Sequence, residues 1–211
     1  MNEAKIIGIY LAAGKSRRMG SNKLFLPLGD DRLGSRALKT ALQSSLDHIV
    51  VITRQDDFLE WVHPSLFLEP FNKRWSYLPC PKAEQGQSLS LKCGIQKAQS
   101  LQADGIIILL ADQPFISKEM LDELISLFND KRSYDFVAAS YNDIPRPPIL
   151  FSKNQFSHLL KLKGDEGARR LLRKSGCHHG LMKHYDDYAN FIDIDTREEY
   201  ELVKMLWDGN I

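Results

Sequence analysis

Continuous apolar runs, not alternating ones, mark the first half of this chain. Ile6 to Leu11, His48 to Thr53 and Gly105 to Leu110 are rich in β-branched residues and lack a polar residue at every second position. That is the pattern of strands covered on both faces of a parallel sheet. Between them the period changes. Leu91, Ile95 and Ala98 within Ser88 to Ala98, and Leu121, Leu124, Ile125 and Phe128 within Ser117 to Phe128, recur at three to four residues and predict amphipathic helices. Another helix is expected from Ser35 to Ser44. Phe136 to Ser140 reads as a strand, Pro145, Pro147 and Pro148 as a turn, and Ile149 to Phe151 as the next strand. Ser152 with Gln155 predicts a capping box before a helix reaching about Lys161. Phe191 to Ile194 predicts a last short strand. Thr196 with Glu199 forms a second capping box, opening a C-terminal helix with Val203, Leu206 and Trp207 on its apolar side.

Strands and helices thus alternate, with no repeat, linker or low-complexity segment. This order predicts one domain over residues 1–211, a three-layer α/β fold with a mostly parallel central sheet. A ligand site is expected beyond the carboxyl ends of its strands.

Composition narrows the partners. With 43% hydrophobic residues in 211, a substantial core is available. The 28 basic and 27 acidic side chains leave a net charge of +1, so no global field draws the chain to nucleic acid or to a membrane, and neither is expected as a partner. Ile6 to Ala13 is too short to span a bilayer and lacks the flanks of a secretion signal, so a cytoplasmic location is expected. Cys80, Cys93 and Cys177 are odd in number and widely spaced, and are read as reduced and structural. Cys177-His178-His179 resembles a metal cluster, but no second ligand pair has suitable spacing, and no role is assigned to it.

Any anion site must therefore be local, and one stands out. Leu11-Ala-Ala-Gly-Lys-Ser-Arg-Arg-Met-Gly-Ser-Asn-Lys23 follows the first strand and gathers Lys15, Arg17, Arg18 and Lys23 in nine residues. Small residues let backbone amides approach phosphate oxygens while the cations neutralise charge. A solvated basic turn would carry the same charges, but the place at a strand's carboxyl end favours a triphosphate. Gly14-Lys15-Ser16 ends like a Walker A loop, yet five residues separate Gly8 from Gly14 where that loop needs four, and no dinucleotide glycine fingerprint is present. The third strand ends in Leu109-Leu110-Ala111-Asp112-Gln113-Pro114. Asp112 is a candidate magnesium ligand there, since Mg2+ takes one or two carboxylates plus substrate phosphates. A helix cap is the alternative role, for which Ser117 is better placed.

These residues carry a resemblance. Residues 11–23 match every fixed position of the signature loop L-A-(A or G)-G-x-S-x-R-M-G-x-x-K of the molybdenum cofactor nucleotidyltransferases, and Leu-Ala-Asp-Gln-Pro matches the end of that family's magnesium-binding strand. The resemblance implies a Rossmann-like fold of the nucleotide-diphospho-sugar transferase type. It implies nucleotide binding along Leu11, Ala12, Ala13, Gly14, Lys15 and Ser16, with backbone contacts to phosphates from Ala13 to Ser16, Arg18 and Lys23 on the charged oxygens and Mg2+ at Asp112. Ala13 stands where alanine accompanies CTP and glycine accompanies GTP, so CTP is expected, with GTP as the alternative. Gln85 to Ser90 resembles the glycine-serine segment near the base, with Gly86 and Ser88 as contacts or Ser88 as a helix cap. Pro148 to Phe151 and Gly164 to Arg169 resemble the side that receives a molybdopterin-type acceptor, although Arg146 and Pro147 stand where the family usually carries a glycine before proline. Asp193-Ile-Asp195-Thr196 resembles the family's closing strand, with Asp193 preferred over Asp195 as second metal ligand.

The implied reaction is transfer of CMP from CTP to molybdopterin with release of pyrophosphate, serving a molybdenum hydroxylase of the xanthine dehydrogenase type or its accessory proteins. Arg18, Lys23 and Asp112 are the expected catalytic groups. Two alternatives stay open: a protein that carries or inserts the cofactor without turnover, and a nucleotidyltransferase acting on a sugar or alcohol phosphate.

Overall fold

The computed structural model describes residues 3–14, 19–173 and 179–209. Strand β1 (Ile6–Leu11) enters a loop that ends in a 3-10 turn at Lys23–Phe25, capped by the Asn22 side chain, which accepts from the Leu24 amide at 3.2 Å. A small antiparallel ribbon, β2 (Pro27–Leu28) and β3 (Asp31–Arg32), leads to helix α1 (Leu33–Gln43). Then follow β4 (His48–Thr53), β5 (Trp75–Pro79), α2 (Gln87–Ser100), β6 (Gly105–Leu110) and α3 (Lys118–Asp130). The second half contributes β7 (Phe136–Tyr141), β8 (Ile144–Ser152), the short helices α4 (Phe156–Leu159) and α5 (Arg169–Arg173), β9 (Gly180–His184) and α6 (Arg197–Gly209).

The main sheet has seven strands in the order β5-β4-β1-β6-β8-β7-β9. Every neighbouring pair is parallel except β6/β8 and β8/β7, so β8 alone runs against the rest. Successive residues of a strand face opposite sides, and β1 uses both. Ile6 and Tyr10 join the core layer with Leu38 and Leu42 of α1 and Leu121 and Leu124 of α3. Ile7 and Ile9 join the other layer with Leu91 and Ile95 of α2. Burying side chains such as these four contributes roughly 1.5–3 kcal/mol each, which is why the run carries no polar residue. The three layers and the mostly parallel sheet agree with the expectation from sequence. Strand order reverses at β1, whose neighbours β4 and β6 lie on either side, so a crevice is expected beyond Leu11 and Leu110. Among the described residues no helix is long and apolar enough to cross a membrane.

Several local expectations are overturned. Pro145, Pro147 and Pro148 form no turn but lie within β8. The register with β7 passes from Ala138↔Ile149 to Ala139↔Arg146, so Pro147 and Pro148 fall in the irregularity, where no ladder amide is required of them. Ser152 makes no side-chain cap, its Oγ being buried without a partner, and the helix expected to Lys161 shrinks to a 3-10 turn and α4. Phe191 to Ile194 is no strand. A 3-10 turn, Tyr188–Phe191, passes into an extended segment bonded to the sheet region by the Ile194 amide, which donates to the Asp112 carbonyl at 3.1 Å. The capping box of Thr196 and Glu199 forms in both directions. Strands β5 and β9 were not anticipated, because as edge strands they are short and only half covered. Cys80 and Cys93, read as reduced, are joined in a disulfide, since the fold sets the end of β5 beside α2 with the two Cα atoms 6.4 Å apart. Cys177 and His178 lie outside the described residues.

Helix α2 lies close on β1 because Gly94 lacks a side chain. A Cβ there would stand 2.5 Å from Ile9 Cγ2, a branch methyl close to the backbone of a central strand. At an exposed helix site Gly→Ala stabilises by about 1 kcal/mol. Gly94→Ala should instead destabilise by about 1–3 kcal/mol through overpacking, read as a lower urea midpoint. A raised midpoint would refute the close-packing account.

Candidate active site

At the carboxyl end of β1 and β6 the backbone itself is knotted together. The Ala12 amide donates to the Ile52 carbonyl at 2.9 Å, the Ala111 amide to the Leu11 carbonyl at 3.2 Å, and the Ile194 amide to the Asp112 carbonyl. In the extended stretch 192–195, alternation buries Ile194 and leaves Asp193 and Asp195 together on the other side. Lys23 enters from the 3-10 turn. Its Nζ donates to Asp112 Oδ2 at 2.6 Å, to the Ile194 carbonyl at 2.6 Å and to Asp195 Oδ1 at 2.9 Å.

An ammonium only 6% exposed must be paired or neutralised, and here it is paired. Burial pulls its pKa down, but Asp112 and then Asp195 outweigh burial and hold it above the ordinary lysine value, so Lys23 remains charged. Asp193 responds in the opposite sense. Partial burial, then the negative charges of Asp112 and Asp195, raise its pKa above the usual carboxylate value, although Lys23 acts against them. The cluster therefore carries more carboxylate than one lysine neutralises, and its donors are oxygens only. Among the described residues no three ligating side chains are placed to hold a metal by themselves, so a divalent cation here would draw the rest of its oxygen ligands from substrate phosphates and water.

Two adjoining cavities open at this rim. The smaller, about 450 Å3, is bordered by Leu11, Ala13, Gly14, Lys23, Asp112 and Asp195 on one side and by the segment from Ala83 to Gln87 on the other. The larger, about 740 Å3, shares Leu11, Gln87, Leu110 and Asp165 with the first. It extends past Gln113, Arg146, Pro147 and Asp193 to the stretch from Lys163 to Arg170. Gly86 makes the junction possible. Its φ is +138°, and a Cβ would stand 2.3 Å from the Gly164 carbonyl oxygen, so only glycine lets the two segments meet there. The Ser88 amide donates to that same carbonyl at 3.1 Å.

The expected site residues are thus distributed unevenly. Leu11, Ala13, Gly14, Lys23, Gly86 and Asp112 border the smaller cavity, and Asp193 the larger one. Ala12 instead packs into the core layer beneath the sheet. Ser88 is no helix cap, because Gly86 occupies the N-cap position, and its Oγ is buried with no partner. Lys15, Ser16, Arg17 and Arg18 lie outside the described residues. Asp195, considered second to Asp193, is the one bonded to Lys23. Sequence reasoning passed over Gln87, Gln113, Lys163 and Asp165. For Asp165 the resemblance at Gly164 to Arg169 was the available signal, for Gln87 that at Gln85 to Ser90, and for Gln113 its place beside Asp112; Lys163 had none.

A model of the MobA-like NTP transferase domain matches residues 8–180. The chain belongs to this family. It is 46% identical to the purine catabolism protein PucB of Bacillus subtilis over 205 residues, 97% of this chain and 98% of that one. It is 24% identical to the molybdenum cofactor cytidylyltransferase of Escherichia coli over 196 residues, 93% of this chain and 94% of that one. Among solved structures, the Mycobacterium sp. strain JC1 homologue of Mycobacterium tuberculosis Rv0371c superposes with a TM-score of 0.77 at 28% identity, covering 98% of each chain. Family and fold together make the protein a nucleotidyltransferase.

Removing the ammonium takes from the clustered carboxylates the lysine they share. Lys23→Met should lower stability by roughly 1–3 kcal/mol, the carboxylates keeping partial access to water, in urea denaturation at neutral pH without divalent cation. Asp112→Asn in the same chain should recover part of that loss. Strictly additive losses would show that the two side chains do not interact.

Proposed function

We propose that this nucleotidyltransferase moves CMP from CTP to the terminal phosphate of a molybdopterin-type acceptor, with magnesium held at Asp112 and Asp193. The observation that carries this reading is the Lys23–Asp112 contact at the rim where two cavities meet, because it sets one cation and one carboxylate beside space for two substrates. The smaller cavity, walled by the glycine loop and by Gly86, takes the triphosphate. The larger one takes the acceptor.

A phosphate oxygen of the acceptor forms a bond to the α-phosphorus of CTP, the bond from that phosphorus to the bridging oxygen breaks, and pyrophosphate leaves with the electron pair. The enzyme forms no covalent bond. Its residues hold two anions in line and counter the charge that grows on the leaving group. Lys23 does this as a permanently charged donor, joined by Arg18 of the same loop. Magnesium, when bound, would supply further positive charge to the phosphate oxygens. Asp193 suits it: burial and then the neighbouring carboxylates raise its pKa, and a divalent cation would relieve the repulsion. The likeness to a cytidylyltransferase, and alanine at position 13, support CTP; the likeness to PucB supports a role in purine catabolism.

The assay combines protein, magnesium and molybdopterin with CTP or GTP, then measures pyrophosphate and the nucleotide attached to the pterin. Asp112→Ala should lower metal-dependent pyrophosphate release about 100-fold or more, with an unchanged circular dichroism spectrum. Undiminished turnover in that variant excludes Asp112 as the metal ligand. Pterin binding without pyrophosphate would mark a carrier instead of an enzyme, and turnover only with a sugar or alcohol phosphate would replace the acceptor. Ala13→Gly should shift the ratio of kcat/KM toward GTP; an unchanged ratio removes Ala13 from base selection.

A further inference from the structure

The larger cavity contains a charged group for which the described residues supply no counterion. Arg146 stands at the register shift of β8, paired with Ala139 just before the strand skips to Ile149, which sets its side chain into the cavity wall beside Pro147. The side chain is half-buried. Its Nε is shut off from solvent and has no hydrogen-bond acceptor, and its guanidinium carbon lies 5.6 Å from the centroid of the Tyr188 ring. Among the described residues no carboxylate pairs with it. Arg170 of the same cavity, by contrast, is paired with Glu166. Gln113, in the wall of that cavity, is 3% exposed and its Oε1 likewise has no partner.

Unpaired polar atoms this deep are costly, and native folds keep few of them. A planar guanidinium held by an aromatic ring and lacking a carboxylate is preorganised for a phosphate, which it can grip through two parallel hydrogen bonds. We propose that Arg146 is the acceptor-selecting residue of the larger cavity: its guanidinium takes a phosphate group of the substrate that enters there, and so restricts the acceptor to phosphorylated compounds. The proposal rests on the nucleotidyl-transfer reading above and deepens it. Arg146 acts on acceptor binding and not on the nucleotide, whose cavity it does not border.

Two measurements test it. In the first, inorganic phosphate is titrated calorimetrically at fixed ionic strength, without nucleotide or metal, into wild-type protein and into Arg146→Gln and Arg146→Lys of equal melting temperature. A phosphate-binding component of the wild type should weaken about tenfold or more in Arg146→Gln and less in Arg146→Lys. Identical isotherms for wild type and Arg146→Gln overturn the proposal. In the second, steady-state kinetics with a phosphorylated pterin should show the acceptor KM of Arg146→Gln raised about tenfold while the nucleotide KM stays within about twofold. A change confined to the nucleotide KM overturns it. The titration needs no turnover, so it still reports on Arg146 if the transfer reading fails, and pyrophosphate release from the wild type stands if only Arg146 has been misread.

Discussion

One buried ammonium holds together three stretches of chain that are far apart in sequence. Lys23 comes from the loop after β1, Asp112 from the loop after β6, and Ile194 and Asp195 from the segment before α6, at separations of 89, 171 and 172 residues. Each partner supplies an oxygen and the lysine supplies all the donors. Without it the carboxylates would repel one another at the point where the sheet opens. The shape of the rim depends on this contact, and with it the position of everything a nucleotide would meet.

The same cluster is built for exchange. Its carboxylates outnumber its described cation; burial and then this excess charge make Asp193 hold its proton more readily than a free carboxyl, and a site of this kind accepts further positive charge at low cost. The interior feels it too, since burial and then the charge of Asp112 raise the pKa of Tyr10 well above the usual phenol value. A rigid platform carries all this. β1 is covered on both faces, and α2 is drawn close to it by Gly94.

Opposite the platform, contacts between loops do the shaping. The Gly86–Gly164 approach closes the junction of the two cavities, and the segment leading to it is tied down by the disulfide from Cys80 to Cys93. The two cavities are thus joined through backbone and through residues that neither owns alone, such as Gln87 and Asp165. A nucleotidyltransferase gains from such a shared wall, because alignment of reacting groups lowers the barrier to transfer.

Strands β1, β4 and β6 were legible because a strand buried on both faces must be apolar throughout, and the bounds read from sequence coincide with those in the fold. That Gly14, Lys23 and Asp112 would meet at one rim was legible because strands β1 and β6 end side by side in a parallel sheet. The Thr196–Glu199 capping box was legible because its bonds are local. What only the tertiary structure decided depends on distant partners. Edge strands β5 and β9 take their form from neighbours, prolines enter β8 because β7 shifts its register, and Cys80 finds Cys93 only after β5 and α2 pack. Which aspartate meets Lys23, and that no described carboxylate meets Arg146, are likewise facts of assembly: a charge's partner is set by the fold around it, and local sequence carries no record of that distance.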